Sequence, residues 1–117
     1  MDNKTLTSKR QEYRKLLQYS ANEIVTKLSH LNMKRISLFG SYARGKIDLF
    51  TDLAVLVIMD SDKPFTERIT EIYNLLALPV DADILCYTPQ EFKKMKETSF
   101  LKKALADEVV LYEKRTD

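Results

Sequence analysis

The stretch RISLFGSYARGKIDLFTDLAVLVIM, from Arg35 to Met59, holds two apolar runs separated by a polar segment. The first run, Arg35 to Phe39, stops at Gly40. The second run, Leu53 to Met59, has seven consecutive apolar residues, among them two Val and one Ile. A run this short and rich in β-branched residues is typical of a strand that is buried on both faces. We therefore predict a strand on each side of the polar segment.

A long amphipathic helix is predicted upstream of this stretch, from Ser8 to about Leu31. Ser8 followed by Gln11 predicts a capping box at its first turn. The apolar residues of the segment recur at intervals of three and four, the period of an α-helix; they are Tyr13, Leu16, Leu17, Ala21, Ile24, Val25, Leu28 and Leu31.

Downstream of the stretch, a second helix and a further strand are predicted. The segment DSD at 60–62 predicts a turn that supplies the N-cap of a helix, with Pro64 near its first position. Helical spacing of apolar residues continues until Pro79, which ends the element. A strand is then predicted over Val80 to Tyr87.

The last part of the chain repeats the alternation of helix and strand. The segment TPQE at 88–91 has the pattern of a capping box with Pro at the first helical position, and it starts a helix predicted to bury Phe92 and Met95. A short helix capped by Ser99 and a final strand at Val109 to Tyr112 follow. The predicted order is αβ(α)βαβααβ, a sheet with helices packed on it.

Length and composition limit the class of protein. The 117 residues fit a single domain, residues 1–117, with an N-terminal helix within 1–31 and a core over 33–113. No apolar run approaches the ~20 residues that span a bilayer, and the N-terminus lacks the apolar core of a signal peptide. We therefore expect a soluble cytoplasmic protein without a membrane partner.

Cysteine and histidine usage restricts the metals that the chain could bind. The sequence has one Cys and one His, so it can form neither an internal disulfide nor a zinc site made of soft ligands. Any metal ion would be held by oxygen atoms.

Charge is distributed unevenly along the chain. Residues 1–47 hold ten Lys/Arg and three Asp/Glu, whereas residues 48–117 hold nine and fourteen, giving balances of +7 and −5 that agree with the net +2. Solvated helix faces account for most of this pattern. A basic first third could also face a carboxylate cluster that binds metal and an anionic substrate.

The two glycines of the chain, Gly40 and Gly45, enclose a candidate phosphate-binding loop. Gly40 allows a tight turn after a strand and a close approach of the backbone to a ligand. Ser41 offers a hydroxyl, and amides at the start of a following helix attract anions. An ordinary turn explains the same residues, so the loop needs support from elsewhere in the chain.

Two aspartates, Asp52 and Asp83, mark the starts of adjacent predicted strands. Carboxylates at the entrances of core strands cost desolvation unless a positive group pairs with them. Hard oxygen ligands spaced in this way suit Mg²⁺. The alternative is that each aspartate ends a strand in solvent.

Taken together, GSYARG at 40–45 and TDLAVLV at 51–57 resemble the G-S-x-A-R-G … S-D-x-D-hydrophobic signature of the DNA polymerase beta-like nucleotidyltransferase superfamily, and in particular its small stand-alone minimal nucleotidyltransferases. The segment VDADILCYTPQEF at 80–92 is similar to the family's third-carboxylate strand and the helix start that follows it. The closing VVLYE at 109–113 also matches. The resemblance spans about residues 33 to 113 and implies an α/β (α+β) fold with a mixed β-sheet.

The resemblance implies a two-metal, Mg²⁺-dependent transfer of a nucleoside monophosphate from an NTP, with ATP expected, to an acceptor hydroxyl. Gly40 and Ser41 would hold the β- and γ-phosphates, and Arg44 would belong to this nucleotide-binding loop, supporting it more often than touching substrate. Asp52 would bind both metals. Asp83 would bind the catalytic metal and could deprotonate the acceptor.

One position departs from the signature, because Ala54 stands where the family has its second metal-binding aspartate. Two anionic ligands then remain for two Mg²⁺ ions, so we expect weak or absent catalysis. Asp81 lies two residues before Asp83 and on the same strand face, where it could supply a replacement ligand, although solvation alone explains it more simply. Asp48 is expected to be exposed in the loop.

Other classes of function stay open. The minimal family is often encoded beside an all-helical partner of the HEPN type, so the chain could be the antitoxin of a toxin–antitoxin pair that acts by contact or by nucleotidylation. It could also bind nucleotide through its loop without catalysis. The sequence leaves open whether nucleic acid or a second copy of the chain is a partner.

Three further residues are given simpler roles. His30, near the end of the first helix, is expected to interact with the helix dipole. Cys86 is expected to be a small buried hydrophobe. Tyr42 lies in the loop, where it could be exposed near a nucleotide base.

Overall fold

The structure, a computed structural model, describes residues 3–115, so residues 1, 2, 116 and 117 lie outside it. Helices and strands follow the predicted order, and no helix within 3–115 combines the length and apolar character needed to cross a membrane. The elements are α1 (Asn3–Leu28), β1 (Met33–Phe39), α2 (Gly40–Ala43), β2 (Leu53–Met59), α3 (Phe65–Leu75), β3 (Ala82–Tyr87), α4 (Pro89–Met95), α5 (Ser99–Ala106) and β4 (Val109–Glu113).

The strands form one mixed sheet in the order β3-β2-β1-β4. Strand β1 is antiparallel to β2 and to β4, whereas β2 and β3 are parallel. The C-terminal end of β1 therefore lies at the same end of the sheet as the starts of β2 and β3. The mixed sheet expected from the resemblance is confirmed.

Strand β2 lies in the middle of the core and is buried on both faces, as predicted. Val55 and Leu56, which point to opposite faces, are 0% and 2% exposed. Val55 packs in one apolar cluster with Leu17 of α1, Ile72 of α3 and Ile84 of β3. Leu56 faces α5 on the other side of the sheet. Helices α1 and α3 thus cover one face, and α5 lies against the opposite one.

The bounds of α1 differ from the prediction at both ends. The helix starts at Asn3, so Ser8 lies inside it and the predicted capping box with Gln11 is wrong. No proline or glycine interrupts the residues before Ser8, which leaves the helix free to extend. It ends at Leu28, and the chain reverses into β1 through Asn32, whose φ of 45° is in the left-handed region that Asn tolerates.

The start of α3 and the start of β3 also differ from the prediction. Pro64 is itself the N-cap of α3, with φ of −61° and no side-chain cap. The predicted N-cap at 60–62 is wrong because Ser61 Oγ accepts the Lys63 N–H at 3.0 Å within the turn. Strand β3 begins at Ala82, two residues later than predicted, because the chain bends at Pro79 and Val80.

The capping box of α4 is confirmed. Thr88 Oγ1 accepts the Glu91 N–H at 3.2 Å, and Glu91 Oε1 accepts the Thr88 N–H at 2.9 Å. Helix α5 is capped one residue earlier than predicted, by Thr98 instead of Ser99. The predicted burial of Met95 is wrong, because its side chain is 39% exposed.

An ion pair between a buried arginine and a half-exposed glutamate, which the sequence patterns do not reveal, links α3 to α4. Arg68 is 1% exposed, and its Nη1 and Nη2 donate to the two Glu91 carboxylate oxygens at 2.9 and 3.1 Å. These bonds, followed by the Thr88 N–H, lower the pKa of Glu91. The same carboxylate therefore caps α4 and neutralises a buried guanidinium.

Candidate functional site

The predicted site residues come together at one end of the sheet. Gly40 directly follows β1, Asp52 directly precedes β2, and Asp83 is the second residue of β3. Ala54 is the residue that joins them, because its Cα pairs with Phe39 on one side and with Asp83 on the other. The predicted proximity of the loop and the two aspartates follows from this register.

Gly40 turns the chain from β1 into α2. Its φ is +77°, in the left-handed region where a side chain is strained. A Cβ added at this position would lie 3.5 Å from the Ala54 Cβ, an ordinary van der Waals contact. Glycine is therefore needed here for its backbone conformation, and Ala54 is its neighbour across the turn.

Arg44 connects the loop to the end of helix α5. Its Nη1 lies 3.2 Å from Asp107 Oδ2 at the C-cap of α5, and its Nη2 donates to Ser41 Oγ at 3.5 Å. Exposed ion pairs of this kind contribute little stability, but the contacts hold the guanidinium beside Ser41. This geometry fits the supporting role inferred from the resemblance, and direct contact of Arg44 with nucleotide stays a prediction.

The loop between α2 and β2 is organised around Thr51, which is 6% exposed. Its Oγ1 accepts the Asp48 N–H at 2.9 Å. The Asp48 carboxylate in turn accepts the Phe50 N–H at 2.8 Å, so this exposed aspartate closes a turn. The residue immediately before Asp52 is thereby anchored.

The two candidate carboxylates lie at the same end of the sheet. Asp52 directly precedes β2, Asp83 lies on the neighbouring parallel strand β3, and both are exposed. Ala54, which pairs with Asp83, is half-buried. Within residues 3–115, no group of three His, Cys, Asp or Glu side chains is close enough to hold a metal ion. Asp81 is exposed just before β3 and does not complete such a group, so the structure gives no support to Asp81 as a replacement ligand.

Two tyrosines reach the site from helices, and the sequence patterns showed them only as apolar positions. Tyr13 Oη of α1 donates to the Thr51 carbonyl at 2.7 Å. Burial raises the pKa of Tyr13, and the charges of Asp52, Asp81 and Asp48 raise it further. The second residue is Tyr73 of α3, which contacts the backbone of β3 beside Asp83. No local sequence signal distinguishes these tyrosines from core aromatics.

Three other residues lie outside the site or are unsuited to chemistry. His30 is exposed two residues beyond the end of α1, at the opposite end of β1 from the loop. Cys86 is 0% exposed, and burial raises the pKa of its thiol to about 11, as expected for an inert buried residue. Tyr42 is half-buried against the core cluster, so its ring is only partly exposed, and its nearness to a base stays a prediction.

Comparisons with known proteins concern the family and the fold. Residues 21–116 match the family described as nucleotidyltransferase domain. A search of curated protein sequences gave no significant match. A crystal structure of a proposed nucleotidyltransferase from Sulfolobus solfataricus superposes with a TM-score of 0.57 and 17% identity, covering 97% of this chain and 91% of that one. At this identity, the likeness concerns the fold alone.

Proposed function

The chain belongs to the nucleotidyltransferase domain family, and from this membership and the site geometry we propose that it binds a nucleoside triphosphate, with ATP expected, at the end of the sheet that holds Gly40 and Ser41. We further propose that transfer of the nucleoside monophosphate to an acceptor hydroxyl is impaired by Ala54. In that reaction the acceptor oxygen bonds to the α-phosphorus, pyrophosphate leaves, and the hydroxyl proton passes to a base.

The observation that carries this proposal is the position of Ala54. It is paired with Asp83 across β2 and β3, and it lies against the backbone of Gly40. A carboxylate at this position would stand between the phosphate loop and Asp83. The methyl group keeps the shape of the strand but contributes no charge or oxygen ligand.

The carboxylates present suit one divalent cation better than two. Asp52 and Asp83 offer the hard oxygen atoms that Mg²⁺ prefers, and Mg²⁺ bound there would neutralise phosphate charge. A two-ion site needs a ligand that bridges the metals, and at the corresponding place this chain has Ala54. The donor set therefore supports nucleotide and metal binding more strongly than efficient transfer.

Phosphate recognition is assigned to the loop after β1. Gly40 leaves its backbone open to a close approach, and the exposed Ser41 offers its hydroxyl. Arg44 holds Ser41 in place and adds positive charge beside it. Loss of Arg44 is expected to weaken nucleotide binding through Ser41 even if the guanidinium never touches phosphate.

Label transfer from [α-³²P]ATP tests the proposal. The unmodified chain, Ala54→Asp and the uncharged control Ala54→Asn are incubated with Mg²⁺ and candidate protein or RNA acceptors. Transfer is expected to be faster in Ala54→Asp than in either of the other two proteins by about tenfold or more, since even outer partners of metal ligands contribute 10–100-fold to affinity or activity. Equal transfer by the unmodified chain and Ala54→Asp would contradict the proposed impairment.

Binding is measured separately from transfer. Titration calorimetry with ATP and Mg²⁺ should give a heat of binding for the unmodified chain, reduced in Ser41→Ala. The absence of a heat of binding at millimolar ATP would contradict nucleotide binding by the chain.

Ala54 also favours a second candidate function, a regulatory module that acts without efficient catalysis. The resemblance suggests a helical HEPN-type protein as its partner and an antitoxin role. Co-purification with a small helical protein encoded beside it, together with inhibition of that protein equally by the unmodified chain and by Asp83→Asn, would support contact as the mechanism. Inhibition that requires Asp83 and ATP would instead indicate nucleotidylation.

A further inference from the structure

We propose that Tyr13 and Tyr73 are positioning residues for the two site carboxylates. Each tyrosine comes from a helix on the α1/α3 face of the sheet and bonds to the backbone next to one aspartate. The inference rests on the proposed function, since it concerns the metal ligands Asp52 and Asp83. It adds two residues that share no sequence motif with the site.

Tyr73 fixes the backbone on both sides of Asp83. Its Oη donates to the Ala82 carbonyl at 3.1 Å and accepts the Ile84 N–H at 3.3 Å. Strand β3 is at the edge of the sheet, with β2 on one side only. The tyrosine hydroxyl therefore takes the place that a further strand would occupy, and it satisfies one donor and one acceptor of the open edge.

The position of these two bonds determines what they restrain. Ala82 and Ile84 are the immediate neighbours of Asp83, so the hydroxyl holds both peptide groups that flank it. Ile84 points into the core with Ile72 of α3, which places the Asp83 side chain on the opposite face of the strand. Tyr73 thus orients Asp83 through the backbone on either side of it, without contacting the carboxylate.

Tyr13 acts in the same way on Asp52. Its hydroxyl donates to the carbonyl of Thr51, the residue before Asp52, at 2.7 Å. On the other side of Asp52, the Leu53 N–H donates to the Asp81 carbonyl at 3.1 Å. Both peptide groups that flank Asp52 are therefore held, one by α1 and the other by the segment that leads into β3.

Backbone restraint matters because the carboxylates lack other support. Among the residues that the structure describes, no group donates a hydrogen bond to the side-chain carboxylate of Asp52 or of Asp83. Their direction is therefore set by the backbone and by rotation about the side-chain bonds. Metal ligands need placement to within about 0.5 Å, so a more mobile backbone should lower the affinity of the two carboxylates for a shared cation.

Tyrosine-to-phenylalanine variants test the role with the loss of one oxygen atom each. We compare Tyr13→Phe and Tyr73→Phe with the control Tyr19→Phe, an α1 residue that is 53% exposed. Mn²⁺ affinity is measured by electron paramagnetic resonance in the unmodified chain and in Ala54→Asp, well below the melting temperature of every variant. The two site variants should bind Mn²⁺ about 10-fold more weakly, as expected for outer partners of metal ligands, and the control should be unchanged.

A melting temperature that falls while Mn²⁺ affinity stays equal to that of Tyr19→Phe would leave the tyrosines a structural role only and overturn the inference. Amide hydrogen exchange gives a second readout that needs no metal. Tyr73→Phe should speed exchange of the Ile84 amide, and Tyr13→Phe should raise the mobility of the Asp52 backbone.

The two readouts separate failure of this inference from failure of the proposed function. If neither the unmodified chain nor Ala54→Asp binds Mn²⁺, metal binding by this site is wrong. Amide exchange then decides the positioning role alone, and unchanged exchange at Asp52 and Ile84 would overturn it.

Discussion

Placing a carboxylate at position 54 should destabilise the metal-free protein and make its stability depend on Mg²⁺. In Ala54→Asp the new charge would face Asp83 across a strand spacing of about 4.8 Å. At about 5 Å, Coulomb repulsion is roughly 1 kcal/mol in water and about 3 kcal/mol at an effective dielectric of 20. Asp83 is exposed, which favours the lower end of that range.

Asp52 adds a smaller repulsion. It lies two residues before Ala54 on the same strand face, about 6.6 Å along the strand, which corresponds to roughly 0.6 kcal/mol in water. The free energy of unfolding of the metal-free variant should therefore be about 1 to 2 kcal/mol lower than that of the unmodified chain. For a domain of this size the melting temperature should fall by roughly 4 to 8 °C.

Mg²⁺ should reverse the loss. A cation present at 100 times its dissociation constant stabilises the folded state by about 2.7 kcal/mol, and a tenfold weaker site gains about 1.4 kcal/mol at the same concentration. Thermal unfolding is followed by circular dichroism with and without MgCl₂ at matched ionic strength. The increase in melting temperature should be larger for Ala54→Asp than for the unmodified chain.

Ala54→Asn is the matched control, since its side chain has nearly the same shape and no charge. It should show neither the electrostatic loss nor the additional gain with Mg²⁺. If Ala54→Asp and Ala54→Asn melt alike in both conditions, the new carboxylate is not facing Asp83 at a metal site, and the reasoning fails.

Three further outcomes are expected. Glu91→Gln keeps a capping residue at the start of α4 but removes the counter-charge of the buried Arg68 guanidinium. Because the Glu91 side chain is 46% exposed, the unfolding free energy in urea should fall by about 1 to 3 kcal/mol, the range for a charged hydrogen bond, and an unchanged free energy would contradict it. Burial raises the pKa of Cys86 from 9.0 to about 11, so its contribution to stability is present below pH 9 and is lost as the pH rises through 11. Between pH 8 and 10.5, the unfolding free energy in urea should fall by about 2 kcal/mol more in the unmodified chain than in Cys86→Ala, and parallel pH profiles would refute this. Gly40→Ala and Gly45→Ala each force alanine into the left-handed region, so both should lower the unfolding free energy by about 1 to 2 kcal/mol. Only Gly40→Ala should weaken ATP binding in calorimetry, and equal binding by both variants would argue against a phosphate loop at Gly40.

Local patterns predicted the elements well because their causes are local. Apolar spacing located α1, β2 and α3, and the Thr88 capping box located α4, since these signals act within a turn or a strand. Boundaries were less accurate. Ser8 has the chemistry of a cap, yet nothing in the chain before it stops the helix, and Ser61 uses its hydroxyl within the preceding turn instead of on α3.

The site was predictable to the extent that it follows from strand order. Asp52 and Asp83 stand at strand starts, so a parallel pairing of β2 and β3 brings them to the same end of the sheet, two residues apart in register. The partial burial of Tyr42 was not evident from its place in the loop, because loop membership says little about packing. Its ring is half-buried against the core cluster, where the fold had apolar surface to cover.

The sequence by itself determined the order of helices and strands, the glycine turn after β1 and the absence of a carboxylate at Ala54, because each depends on residues adjacent in the chain. Only the tertiary structure decided which distant groups meet. It paired Ala54 with Asp83, buried Arg68 against Glu91, and brought Tyr13 and Tyr73 to the backbone beside the two aspartates. These contacts join segments far apart in sequence, and they depend on sheet register and helix placement, which local periodicity does not encode.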